Sequence, residues 1–305
     1  MNPILLTGSS GQVGAELVTA LAPLGRVIAC DRSALDLADP DAIVAKMREV
    51  RPAAVVNAAA YTAVDRAESE PALAMAVNGT APGILAEEAA RLNALLIHYS
   101  TDYVFDGAKL GAYAEDDAPN PLNVYGRTKL AGERAIQASR AACLILRTSW
   151  VYGARGNNFL VTILRLAAER DELKVVNDQF GAPTWCRDIA QATHAMLSSV
   201  RGIGSASGDA LRDVGDVKGI YHLSAAGSAS WYDFASVIVA SAPASTAKPK
   251  PRLVPIPASG YPAAAARPRN SVLSHVKLHR TFGIEVPHWR ASLQACLNTI
   301  TAECS

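Results

Sequence analysis

The chain has no surplus of either charge. Lys and Arg number 29 against 28 Asp and Glu, a net charge of +1 over 305 residues. No basic surplus argues for nucleic acid, and no charged block reads as an interaction tail. Nor is there a Cys-x-x-Cys pair: Cys30, Cys143, Cys186, Cys296 and Cys304 are scattered. Such spacing excludes a disulfide framework or a cysteine zinc site and fits reduced thiols in a cytoplasmic protein. No uninterrupted apolar run reaches membrane-spanning length, so no membrane partner is expected. Met1-Asn2-Pro3 leads straight into Ile4-Leu5-Leu6 without a basic region, so no signal peptide is expected. No internal repeat is visible.

What is present is an ordinary enzyme composition, half hydrophobic and 19% charged. The length suits one large domain and a smaller one. Residues 4–7 read as a buried strand, followed by Gly8-Ser-Ser-Gly11-Gln12-Val13-Gly14 and a helix over 15–22. A strand, a glycine turn and a helix start form a phosphate cradle, because the backbone can approach a pyrophosphate and the helix offers free N–H groups. The spacing is G-x-x-G-x-x-G, not the usual G-x-G-x-x-G. A second strand over 26–30 ends at Asp31-Arg32. Asp31 lies about 20 residues beyond Gly11, where a carboxylate meets ribose hydroxyls. It argues for NAD; Arg32 beside it suits a 2′-phosphate, so NADH and NADPH both stay open.

Strands over 53–57, 94–99 and 143–147 alternate with helices over 42–50, 65–76 and 80–92. Glu68, Glu70, Glu87 and Glu88 read as solvated helix faces. The alternation predicts an α/β, Rossmann-like, doubly wound parallel sheet. Ligands bind outside the carboxyl ends of such strands. Asn57-Ala-Ala-Ala60-Tyr61-Thr62 and Tyr99-Ser-Thr101-Asp102 occupy such ends. Pro119-Asn120-Pro121 then reads as a helix start, with Asn120 as cap and Pro121 in the first position. On that helix Tyr125 and Lys129 are four apart and share a face. An ammonium beside a phenol is expected to lower its pKa, making a proton-transfer pair.

The second half is less regular. Helices are expected over 158–169, 188–200, 230–240 and 274–281, and strands over 173–177 and 220–223. Residues 201–218 read as a flexible surface insertion and 242–257 as a loop or linker. His275 and His279 are expected on the surface, not as metal ligands. Domain limits follow: 1–150 bind dinucleotide, with segments returning at about 170–200 and 218–224. Residues 151–169 and 225–305 form a smaller C-terminal α/β substrate domain.

Several blocks together carry a resemblance. They are 8–14, Val56-Asn-Ala-Ala-Ala-Tyr-Thr-Ala-Val-Asp65, His98-Tyr-Ser-Thr-Asp-Tyr-Val-Phe-Asp106, 121–125 with 128–133, Arg147-Thr-Ser-Trp-Val-Tyr152, 156–159 and Asn177-Asp-Gln-Phe-Gly-Ala-Pro-Thr184. The chain resembles the extended short-chain dehydrogenase/reductase family, and within it the dTDP-4-dehydrorhamnose reductases. The resemblance implies Thr101, Tyr125 and Lys129 as the catalytic set. It implies Gly11, Gln12 and Val13 on the cofactor pyrophosphate, beside Gly8 of the turn, and Asp31, Asp36 and Leu37 around the adenosine, beside Arg32. Ala60, Tyr61, Thr62, Tyr99, Tyr125 and Lys129 would line the rest of the cofactor path. Thr101, Asp102 and Trp150 would touch a dTDP-sugar, and Arg267 could meet its diphosphate. The implied activity is NAD(P)H-dependent reduction of the 4-keto sugar.

Two other readings belong to the same resemblance. A sugar-nucleotide dehydratase would carry an Asp-Glu pair after the threonine, whereas Asp102 is followed by Tyr103; a 4-epimerase would leave NAD unconsumed. A non-catalytic regulatory subunit need not keep Thr101, Tyr125 and Lys129. Some family members hold magnesium through carboxylates at a homodimer interface. Glu16 matches one such position, but Arg187 stands where another glutamate would be, which argues against the metal and leaves Glu16 as an exposed helix residue.

Overall fold

The computed structural model describes residues 3–200, 213–241 and 249–303. Most of the insertion expected at 201–218 therefore lies outside the described residues. Six strands form the central sheet: β1 Ile4–Thr7, β2 Val27–Cys30, β3 Ala54–Asn57, β4 Leu95–Thr101, β5 Ala142–Thr148 and β6 Gly219–His222. Their order is β6-β5-β4-β3-β1-β2 and every pair is parallel. The chain turns back across the sheet between β1 and β3, the switch point where this fold opens a crevice.

Alternation assigns the two faces. Leu6, Val56, Ile97 and Leu146 point one way into a core shared with α1 (Gln12–Leu21). Leu5, Val55, Leu96 and Ile145 point the other way, against α2 (Pro40–Val50) and α3 (Ala81–Leu92). Strands buried on both faces need continuous apolar runs, which is what these are. Each fully buried aliphatic side chain contributes roughly 2 kcal/mol.

The expected break between helices near 76–80 is instead a π turn, Ala76–Thr80, joining Pro71–Met75 to α3. Asn78 is buried in it. Its Oδ1 accepts from Tyr61 N and its Nδ2 donates to Tyr61 O, both at 2.9 Å. The turn thereby pins the loop that follows β3.

Beyond α4 (Val124–Ala138), a third core forms around α5 (Phe159–Glu169), α7 (Trp231–Ser241) and α8 (Trp289–Glu303), with Tyr152, Trp185, Phe234 and Trp289 inside. Between α5 and α7 in the chain, α6 (Cys186–Ser198) returns to pack on α1. The loop expected over 242–257 contains a strand, Arg252–Ile256, paired in parallel with Glu172–Val176. A two-stranded sheet is all edge, so it tolerates Pro255. Among the described residues, no helix is long and apolar enough to cross a membrane.

Candidate active site

The glycine turn after β1 is built for close approach. Gly8 has φ of 69°, and a Cβ on Gly14 would sit 2.0 Å from the Gly8 carbonyl oxygen. No side chain caps α1, whose N-cap is Gly11. Its free N–H groups and positive dipole end stay available for a phosphate. At the end of β2, Asp31 Oδ1 accepts from Ser33 N, Ser33 Oγ and Ala34 N. These bonds hold the carboxyl below its ordinary pKa, the Ser33 hydroxyl foremost. Arg32 is largely exposed and lies 3.6 Å from Asp36. The cradle and its acidic end fit a dinucleotide.

Helix α4 starts three residues later than expected. Asn123 is the cap, its Oδ1 accepting from Gly126 N at 2.8 Å. Asn120 instead donates to Asp106 Oδ2. Glu68 Oε1 accepts from Val124 N, satisfying another free donor of the first turn, so it is not merely a solvated charge. Glu70 likewise accepts from the Tyr61 hydroxyl and Arg66, and Glu88 is buried between Arg48 and Arg91.

Tyr125 and Lys129 do face one cleft, of about 700 Å³, with Thr101 and Asp102. The volume falls in the range of small-molecule sites. Gly8, Gly11, Gln12, Val13, Asp31, Arg32, Asp36 and Leu37 line one end. Ala60, Tyr61, Thr62, Tyr99 and Trp150 line the rest. Of the sequence-predicted site residues, Arg267 alone is absent from the lining. Its guanidinium is bidentate to Asp65, at 2.7 and 3.2 Å, and hydrogen-bonds Tyr103, which does line the cleft.

The electrostatics differ from expectation at one point. Lys129 is buried and donates to Tyr99 O at 2.6 Å, with His98 Nε2 at 3.2 Å. It does not lower the Tyr125 pKa here. Burial pushes that phenol up to about 12, opposed by a hydrogen bond with Thr101. Burial brings Lys129 down to about 8, opposed by Glu133. Burial also raises Asp102 to about 6, against hydrogen bonds from Ser271, Ser149 and Thr101.

Sequence reasoning missed Trp231. It opens α7 and stacks on Trp150, ring centroids 3.5 Å apart and planes 2° from parallel. Trp150 adopts φ of 46°, unusual for a bulky residue, at the cleft wall. Asn158, also in the lining, donates to Gln12 Oε1 and caps α5. It lies in the 156–159 block that carried the resemblance, a local signal that was available.

Two further expectations need correction. Glu16 is not simply an exposed residue: Arg187 Nε donates to its Oε2 at 3.0 Å, bridging α1 and α6. Among the described residues, no group of three or more His, Cys, Asp or Glu is placed to hold a metal. His275 is only partly exposed. Its Nε2 meets Ser224 Oγ at 2.9 Å, and burial lowers it to about 4. His279 is exposed as expected.

Comparison with known proteins places this cleft in a family. Residues 1–302 match the model described as RmlD substrate binding domain. The chain is 47% identical to the dTDP-4-dehydrorhamnose reductase of Burkholderia thailandensis, over 98% of this chain and 99% of the relative. It is 45% identical to that of Escherichia coli K12, over 97% of each. The crystal structure of dTDP-4-dehydrorhamnose reductase from Bacillus anthracis in complex with NADP superposes with a TM-score of 0.86. There the identity is 33%, over 98% of this chain and 99% of the other. A UDP-glucose 4-epimerase of Thermus thermophilus, in complex with NAD, shares the fold at 20% identity and a TM-score of 0.72, with 94% of this chain and 96% of that one covered. With full-length identities this high and a family model spanning nearly every residue, the chain belongs to the dTDP-4-dehydrorhamnose reductase (RmlD) family.

Proposed function

We propose that the chain reduces the 4-keto group of dTDP-4-dehydro-L-rhamnose to dTDP-L-rhamnose, using NADPH or NADH. That is the last step of dTDP-rhamnose biosynthesis for surface polysaccharide. One observation carries the reading. A phenol partly buried in the cleft wall and hydrogen-bonded to Thr101 shares a cleft with a glycine cradle suited to a dinucleotide. The nicotinamide supplies a hydride when bound. Tyr125 holds its proton at neutral pH because burial disfavours the phenolate. A reduction needs just such a donor: the Oη proton goes to the oxygen that develops negative charge. The Thr101 hydroxyl, which donates to Asp102 Oδ1 in this structure, would turn to donate to the same oxygen. Lys129 lines the same cleft and would hold the cofactor ribose there. Asp102 and Trp150 hold the sugar, while the 1–150 unit binds cofactor and the third core carries the substrate side. Arg267 supports Tyr103 and Asp65 from outside the lining.

We place the reaction in the cytoplasm, in keeping with four buried free cysteines among the described residues. Any homodimer would assemble without magnesium at Glu16, because Arg187 occupies that carboxylate.

Mixing the protein with NADPH and dTDP-4-dehydrorhamnose should consume one equivalent of NADPH per product, followed by absorbance. A folded, cofactor-binding protein that consumes none would defeat the reading; an epimerase would behave that way. Arg32→Ala should raise the KM for NADPH roughly tenfold or more, the worth of a charge-assisted hydrogen bond. The KM for NADH should hardly move. Equal changes for the two cofactors would remove Arg32 from the 2′-phosphate.

A further inference from the structure

Lys129 stands at the end of a buried polar chain that crosses three strands. Its Nζ lies 3.2 Å from His98 Nε2 on β4. His98 Nδ1 lies 3.0 Å from Asn57 Nδ2 on β3. Asn57 Oδ1 accepts from Thr7 Oγ1 on β1 at 2.6 Å. Thr7 Oγ1 in turn accepts from Ala59 N. Thr7, Asn57, His98 and Lys129 are each at most 1% exposed. None of the first three lines the cleft. Their polar side chains in the sheet's interior are costly unless paired, so the pairing is specific.

The chain has a direction. The Thr7 hydroxyl donates to Asn57 Oδ1, so the Asn57 amide turns its N–H toward His98 Nδ1. Nδ1 must then accept, and the imidazole proton sits on Nε2, pointing at Lys129. A neutral ring with an Nε2 proton offers Lys129 a donor where an ammonium wants an acceptor. Reversing the chain would need Asn57 to flip, and the Thr7 hydroxyl proton would lose the acceptor it has here.

The geometry points to His98 as a positioning residue whose tautomer, fixed by Thr7 through Asn57, sets how readily Lys129 holds its proton. This rests on the reductase reading for its kinetic consequence, but the tautomer itself does not. Burial supports it: His98 lies well below its ordinary pKa, disfavoured as a cation by its surroundings and by Lys129. The titratable and charged groups around Lys129 are His98 from β4, and Glu133 and Tyr125 from its own helix. Arg147 from β5 acts through Glu133, and Asp102 lies beyond Tyr125. Glu133 favours the ammonium; the His98 donor opposes it.

The test reads His98 directly by nitrogen-15 NMR of the protein labelled at histidine, with the signal assigned by its loss in His98→Gln. The native protein should show a neutral ring protonated at Nε2 across pH 6–9. Thr7→Val removes the hydroxyl and frees Asn57 to flip, so the proton should move to Nδ1. Lys129 then gains an acceptor, and the alkaline limb of kcat/KM should move up by roughly one pH unit. Asn57→Asp places an acceptor against Nδ1 and should give the same tautomer if Thr7→Val folds poorly. A native ring protonated at Nδ1 overturns the proposal without needing any variant. So does a tautomer switch that leaves the alkaline limb in place. Absence of any reductase turnover, with the native tautomer as stated, would strike at the reductase reading instead.

Discussion

Tyr125→Phe should lose roughly 100- to 10,000-fold in kcat, the usual worth of a positioned proton donor. The ring stays and only the hydroxyl goes. Its packing against Tyr103, edge to face at 5.8 Å, is retained. Cofactor affinity, measured by titration of NADPH fluorescence, should therefore change little. The loss should fall on kcat and kcat/KM together, because the proton moves only in the transition state. Thr101 keeps a partial role, still offering its hydroxyl to the reacting oxygen. Near-normal turnover in this variant with cofactor bound would remove Tyr125 from the chemistry.

Removing one carboxylate below the site should cost most in stability. Glu133 and Arg147 are fully buried, with Arg147 Nε and Nη2 donating to the two Glu133 oxygens at 2.9 and 2.7 Å. Ser100 adds a third donor, and the Phe105 ring lies under the guanidinium at 5.0 Å. Glu133→Ala leaves a guanidinium in the interior without its counterion, which costs about 3–5 kcal/mol. Urea unfolding of the two proteins measures it. The double variant Glu133→Leu/Arg147→Met should recover most of the loss, since the pair itself has little net worth once both charges are gone. A loss under about 1 kcal/mol in the single variant would show that water reaches the guanidinium. Glu133 also faces Lys129, so a folded Glu133→Ala protein should lose its ammonium at lower pH than the parent.

Much of the cleft was legible because it obeys local rules. The glycines, Asp31, the ends of β3 and β4, and the Tyr125/Lys129 spacing each carry their own signal within a few residues. The switch-point geometry then brings them together. What escaped depends on chain return. Trp231 reaches Trp150 from 81 residues away through the third core, and nothing local to it announces a cleft. Arg267 shows the converse: the guanidinium read as a phosphate ligand is paired with Asp65, 202 residues away, a partner no local pattern announces. The phenol's pKa failed for a similar reason, since four-residue spacing does not say which way a lysine points. Helix α8 was overlooked despite a readable stripe, Trp289, Leu293, Cys296, Leu297 and Ile300. Asn120 is the cap the sequence points to, but Asn123 takes that place, its Oδ1 accepting from Gly126 N.

The π turn at Ala76–Thr80 carries a consequence for how this sequence tolerates change in length. A π turn holds one residue more than an α turn. It is the form a helix takes when it absorbs a single-residue insertion without disturbing either half. Leu73 and Val77 stay on the cleft side, while Leu85 and Ala89 stay in the core. Deleting any one residue of the turn would rewind it and rotate the upstream half by about 100°. Asn78 would swing away from Tyr61, and the loop under the cofactor path would lose its clamp. Homologues should therefore vary in length almost anywhere on the surface before they vary there.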